Sequence, residues 1–268
     1  MTEYSRFRIE KDAFIVRLIL SRPEKRNAMD LLFFKELSDA FASFDEDPSV
    51  RALVIQGEGK SFSAGLDLGA LPALVEATDA EARESLRRTL VQAQASFTAL
   101  ERCRKPVIAA AHGHCIGGAV DLMCACDIRF AARDAVFSIR ETRMAMVADL
   151  GTLQRMPHII GEGWFRELAL SGRDFSAEEA LRMSFVTRIC EDAHSLIREA
   201  GKLAAEIAAC SPLAVQGVKD VMRFNRDHGV RAGLDYVAQK NAAILMSEDL
   251  MEAAQAFMQK RPPRFKGR

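Results

Sequence analysis

No run of about 18 apolar residues occurs anywhere in this 268-residue chain, which excludes a bilayer-spanning helix. An excess of charge is also missing. Thirty-seven basic and thirty-seven acidic side chains cancel, so nothing in the balance suggests nucleic acid or an anionic membrane as partner. The opening MTEYSRFRIEKD has neither the apolar centre of a secretory signal nor the acid-poor character of a transit peptide. The closing RFKGR is no anchor or recognised address, and a soluble cytoplasmic protein is the expectation. Cysteines are few and unpatterned: Cys103, Cys115, Cys124, Cys126, Cys190 and Cys210 lack the spacing of a disulfide framework. The densest patch, HGHCIGGAVDLMCAC, sets His112, His114 and Cys115 ahead of Cys124 and Cys126. Those last two are two apart on an expected helix and point to different faces, and no further CxxC or HxxxH completes a tetrahedral set. No metal is expected, and the thiols read as core filler.

What the chain does have is apolar content. At 49% hydrophobic residues it can bury one large domain, or one domain with an appendage. FRIEKDAFIVRLILSRP reads as two strands around a polar turn. MDLLFFKELSDAFASFDED has helical apolar spacing (Leu32, Phe33, Leu37, Phe41, Phe44) with Asp30 near its start. VRALVIQGEG is a short strand stopped by glycines, and TDAEARESLRRTLVQAQASFTALERC is a long amphipathic helix. PVIAAAHG then returns to a buried strand, GGAVDLMCAC opens a helix, and DIRFAARDAVFSIRE reads as two more strands. Repeated strand-strand-helix units give an α/β fold with helices packed on sheets. From about residue 160 the strands fade; SAEEALRM carries a capping box, Ser176 with Glu179. Beyond Asp192 the pattern is helical, broken at Ser211-Pro212, Gly229 and Pro262-Pro263, and amphipathic enough to need the core or a neighbouring subunit.

Two acids sit where a core would prefer leucine. Asp149 follows the apolar run Met144-Ala145-Met146-Val147-Ala148, and Glu141 stands eight residues earlier at the edge of another apolar segment. A third acid, Asp121, lies one helical turn past Gly118 in CIGGAVDLMCAC, so its side chain can share the face above that helix start. Two glycines before a helix let a ligand approach the backbone, and unpaired N–H groups there suit an oxygen gaining negative charge. The competing reading is a tight strand-to-helix turn with a solvated aspartate. A second glycine-centred loop, KSFSAGLDL, follows the strand ALVIQG and offers further backbone N–H groups from Ala64, Gly65 and Leu66; Asp67 could simply cap the next segment. Together the loops fit two backbone donors converging on one carbonyl oxygen, with carboxylates nearby to move protons.

RPEKRNAMD, KSFSAGLDL, KPVIAAAHGHCIGGAVDLMCACDIRFAARDAVFSIRE and GTLQRMPHIIG, in this order and spacing, resemble the enoyl-CoA hydratase/isomerase (crotonase) superfamily, with dienoyl-CoA isomerases the most similar branch. The resemblance implies a crotonase-type spiral of β-β-α units over residues 1–195, carrying an acyl-CoA site. It also implies a helical oligomerisation region over 196–268 that builds a homotrimer or a dimer of trimers. It assigns the oxyanion-hole N–H groups to Ala64 and Gly118, and the catalytic acids to Asp121, Glu141 and Asp149. Hydratases of this family hold a water between two glutamates, whereas dienoyl-CoA isomerases show the Asp, Glu, Asp trio found here. The implied reaction moves the double bonds of a 3,5-dienoyl-CoA to the 2,4 positions in fatty-acid β-oxidation, with coenzyme A as part of the substrate and no separate cofactor. Water addition to a 2-enoyl-CoA by a hydratase is the alternative, and a non-enzymatic acyl-CoA-binding or RNA-associated protein a third reading.

Coenzyme A contacts are implied for Arg26, the backbone of Ala64, Gly65, Leu66, Asp67 and Leu68, and Gly118, with Lys25 and Lys60 as further candidates. Two departures from the family pattern stand out. Ala119 occupies a position that is glycine in many relatives, and Arg143 puts a positive charge between Glu141 and Asp149. An extended segment would place Arg143 on the side of Glu141 and lower a carboxylate pKa; a coiled one would turn it to solvent.

Overall fold

The computed structural model describes residues 4–70 and 79–268. The first three residues of the opening segment, and Thr78 at the start of the expected long helix, lie outside them. The opening strands β1 (Phe7–Asp12) and β2 (Ile15–Leu20) pair antiparallel, in register Phe7 to Leu20 and Asp12 to Ile15. Helix α1 (Leu31–Glu46) starts where Asp30 accepts the Phe33 N–H (2.9 Å) and buries Phe33, Leu37, Phe41 and Phe44 on one stripe. Strand β3 (Ala52–Gly57) follows, then α2 (Ala80–Arg102), capped by Asp79 on the Ala82 N–H (2.8 Å). Strands β4 (Val107–Ala111) and β5 (His114–Ile116) lead into α3 (Gly118–Ala125), and β6 (Ile128–Ala132) and β7 (Val136–Ser138) repeat the two-strand step.

Successive units place their strands in two layers. One sheet runs in the order β1-β2-β3-β4-β6-β9, where β9 is Arg188–Cys190, and every pair after the first is parallel. The smaller sheet is β5-β7-β8, with β8 at Asp174–Ser176. Every residue of β3 and β4 is buried, as expected of parallel strands covered on both faces. The main core fills one face, against α1, α2 and α3. The other is covered by α8 (Ala193–Ala208), whose Leu196, Ala200 and Ala204 pack on Val54, Ile108 and Phe130. A division after residue 195 therefore falls inside a helix that belongs to the sheet's own cover.

Between β7 and α8 lie α4 (Thr152–Arg155), α5 (Pro157–Ile160), α6 (Glu162–Ser171) and α7 (Ala177–Arg182), the last opened by the expected Ser176–Glu179 capping box. β8 and β9 lie in the stretch where strands were expected to fade. At three residues each they are too short for an alternating pattern, and tertiary pairing makes them strands. Beyond α8 come α9 (Pro212–Ile244), bent at Gly229 (φ 79°, ψ 172°), and α10 (Glu248–Met258). The small sheet is held by Phe137 stacked on Phe175 (centroids 5.3 Å apart), with Phe185 edge-on to both. Phe137→Ala leaves a cavity there and is expected to lower the unfolding free energy by about 3–5 kcal/mol, measured by urea titration.

Candidate active site

The loop KSFSAGLDL is fixed from below by the residue the RPEKRNAMD segment supplies. Asn27, buried and at φ 55°, donates Nδ2 to the carbonyls of Glu58 and Ser61, both at 2.9 Å. A bridge from Ser63 to Cys115 laces the loop to β5, and one from Met29 to Leu66 ties it to the segment that leads into α1. Gly65 has φ 80°, and a Cβ there would collide with the Ile116 carbonyl and stand 3.1 Å from the Gly118 nitrogen. Two backbone segments thus approach as only glycine allows.

The donors in this pair of loops are not those expected. The Ala64 N–H already donates to the Arg26 carbonyl (2.9 Å), and the Gly65 N–H to Ser63 Oγ (3.1 Å). The Leu66 N–H makes no hydrogen bond among the described residues, nor does that of Gly118, the first residue of α3. A Cβ built on Gly118 would lie 3.7 Å from the Leu66 nitrogen, so the two free donors are neighbours. The expected donor therefore moves from Ala64 to Leu66, because the Arg26 carbonyl takes up the first. Gly118 stays.

These loops floor a cavity of about 500 Å³. Asp121, Glu141 and Asp149 all line it, as do Ala64, Leu66, Leu68 and Gly118. The rest of its wall is mostly apolar, from Leu31 and Phe34 on α1, Leu86 and Leu90 on α2, and Met144 and Met146. Asp121 is 1% exposed, which overturns the solvated-aspartate alternative, and its Oδ1 accepts the Thr152 N–H at 2.5 Å. Burial, then the charge of Glu141, pushes its pKa from 3.8 up to about 7 against the pull of the Thr152 donor. Glu141 opens a short 3₁₀ turn (Glu141–Met144), and its carboxylate sits over Gly117: a Cβ on that glycine (φ 55°) would be 3.0 Å from Oε1. Its Oε2 is buried with no hydrogen-bond partner among the described residues, and burial and the charge of Asp149 raise its pKa. Asp149 occupies the exposed rim of the cavity, where partial burial raises its pKa as well.

Other expected contacts fall outside the cavity. Arg26, Lys25 and Lys60 are exposed and do not line it. Asp67 does not line it either. It accepts the Gly69 N–H (3.1 Å) and pairs with Arg22 (3.3 Å), so the capping role fits. Gly65 contributes its geometry, not its N–H. Arg143 resolves to the coiled case: it is exposed and donates Nε to the Ser171 carbonyl (3.0 Å), away from the acids. Arg140 was not foreseen, yet it lines the cavity while its guanidinium pairs with Asp174. No spacing or composition signal marks it. The cysteines are unpaired, and five of the six are buried.

A family model described as enoyl-CoA hydratase/isomerase matches residues 10–268. The chain is 46% identical over 259 residues to the peroxisomal Delta(3,5)-Delta(2,4)-dienoyl-CoA isomerase of Arabidopsis thaliana, covering 95% of this chain and 93% of that one. It is 42% identical over 272 residues to the mitochondrial isomerase of the same name from Dictyostelium discoideum, covering 99% and 93%. Among solved structures, an enoyl-CoA hydratase from Bacillus anthracis superposes with a TM-score of 0.91 at 29% identity, covering 98% of this chain and all of the other. The α/β spiral, the paired free N–H groups and the acids around one cavity belong with those matches: the chain is an enzyme of the enoyl-CoA hydratase/isomerase family.

Proposed function

We propose that this enzyme converts a 3,5-dienoyl-CoA to the 2,4-dienoyl-CoA. The observation that carries the reading is that Asp121, Glu141 and Asp149 line the same cavity as the unbonded N–H groups of Leu66 and Gly118. The thioester oxygen accepts from those two donors, which stabilise it as it gains negative charge. Asp149 removes a proton from C2; the electrons form the C2–C3 double bond, the C3–C4 double bond moves to C4–C5, and the C5–C6 pair takes a proton from Glu141 at C6. The rim position of Asp149 keeps its ionised form hydrated, while the buried, unpartnered Glu141 Oε2 favours a protonated acid. The charge of Glu141 raises the pKa of Asp121, that of Asp149 raises Glu141, and the three acids titrate as a coupled set. The relatives named as dienoyl-CoA isomerases support this choice over water addition.

Coenzyme A enters only as part of the substrate in this reading, with the loop Ala64–Leu68 along its pantetheine end and Arg26 as the outlying basic contact. A homotrimer or dimer of trimers is part of the same proposal. Met246 and Phe257, 96% and 86% exposed, leave apolar surface around α10 for a neighbouring copy. No helix among the described residues is long and apolar enough to cross a membrane. A cytoplasmic location stays the reading of the sequence alone, and the two named relatives are peroxisomal and mitochondrial.

Growth of conjugated-diene absorbance from 3,5-dienoyl-CoA is the direct assay; water addition to 2-enoyl-CoA with no diene shift would instead identify a hydratase. Asp149→Asn is expected to lower kcat by about a thousandfold, and a mild effect would remove Asp149 from the proton path. Asp121 also links activity to stability. The native group holds its proton up to about pH 7, whereas the unfolded group releases it near 3.8. The cost of ionising it is absent at low pH and accumulates as pH rises through that window. Asp121→Asn escapes this cost, so its Tm relative to wild type should climb between about pH 4 and about pH 7.

A further inference from the structure

Two of the three acids depend on one short turn. Asp149 begins it, and Thr152 ends it with the N–H that Asp121 accepts. Between them Gly151 has φ 124°, ψ 0°. The Arg155 guanidinium lies so close to Gly151 that a Cβ there would overlap Nη1, and Nη1 donates to the Leu150 carbonyl at 3.3 Å. Arg155 is in turn gripped from behind: its Nη2 donates to Glu101 Oε2 (2.9 Å), whose other oxygen accepts from Arg226 Nη1 at 2.5 Å. Arg155 and Glu101 are only 13% and 16% exposed. Burial pushes the Glu101 pKa up, but the two arginines outweigh it and hold the carboxyl below its usual range. Gln94 on α2 adds a bond from Nε2 to the Asp149 carbonyl (2.7 Å).

Behind the turn lies a second cavity of about 450 Å³, polar where the first is apolar, lined by Thr98, Gln154, His158 and Asp227 as well as the arginines. Asp149 and Leu150 line both cavities, so the turn is the partition between them. Leu150 and Thr152 bury their side chains on the core side of the turn, but Gly151 between them has none to pack. The guanidinium braces this point instead: its rigid plane directs Nη1 at the Leu150 carbonyl and Nη2 at the Glu101 carboxylate in fixed relative directions, a geometry that a single ammonium centre does not reproduce.

We infer that Arg155, oriented by Glu101, is a positioning residue for the acid trio: it sets the Asp149–Thr152 turn and so aligns the Asp149 carboxylate and the Thr152 donor to Asp121. Arg155 is absent from the lining of the apolar cavity, so it acts through the turn and not on the acyl chain. The inference rests on the proposed proton transfer by these acids.

The test compares full-length wild type, Arg155→Met, Arg155→Lys and Glu101→Gln by steady-state kinetics on 3,5-dienoyl-CoA across pH, with Tm for each. Arg155→Met is expected to lose on the order of a hundredfold in kcat with KM unchanged. Its pH–rate profile should shift to higher pH, since a slack turn withdraws the N–H that favours ionised Asp121. Arg155→Lys keeps a cation beside Glu101, so its Tm should recover while kcat stays low. If Arg155→Met fails to fold, Glu101→Gln decides: it leaves Arg155 in place but loosens its anchor, and a lowered kcat with a shifted profile supports the role. A folded Arg155→Met with wild-type kcat and profile overturns the inference, as does full recovery of kcat by lysine. A wild-type enzyme that shifts no diene overturns the functional reading and this one with it, whereas an active wild type confines the failure to Arg155.

Discussion

Keeping a carboxylate inside a protein is the constraint around which this molecule is arranged. Asp121 sits on a helix whose every residue is buried, and a single main-chain N–H, that of Thr152, bonds its carboxylate. An ionised acid in such surroundings is costly, and a second acid, Glu141, raises the cost further. Folds tolerate this where the acids have work to do, and strongly perturbed carboxylates gathered in a cleft are a signature of such sites. The apolar cavity wall, the glycine under Glu141 and the turn that presents Thr152 all follow from holding these groups together and away from bulk water.

The same economy of water governs the electrophilic side. Main-chain N–H groups in a protein interior are nearly always bonded, so two adjacent free ones are a preorganised site for an oxygen. They arise from topology. The helix start at Gly118 leaves one donor unbonded, and the parallel bridge at Leu66 turns the other outward. Gly65 and Gly117 let the loops close to a distance that a side chain would forbid. The long sheet, buried on both faces, supplies the rigid base on which both loops stand.

Much of this is written locally. The strand-strand-helix alternation, the caps at Asp30 and Ser176, and the break at Gly229 follow from spacing and turn chemistry, and all are found. The three acids stood out because each interrupts or borders an apolar run, which is a readable anomaly. The identity of the free donor was not readable. Whether Ala64 or Leu66 keeps its N–H depends on where the Arg26 carbonyl lands, a matter of a left-handed turn at residues 26 and 27. Arg143 was ambiguous for a related reason, since one 3₁₀ turn decides its direction. The Glu101 cluster is invisible to pattern reading, because its arginines lie 54 and 125 positions away and look like ordinary surface charges in the sequence.

That separation has a consequence for how the enzyme comes into being on the ribosome. Every residue lining the acyl cavity precedes position 151, so the pocket's wall is synthesised early. Arg226, which completes the grip on Glu101, belongs to α9 and emerges after more than four-fifths of the polypeptide. The residues of that wall are therefore all made before the arginine that completes the Glu101 cluster, and the cluster is whole only once the tail helix has docked on α2.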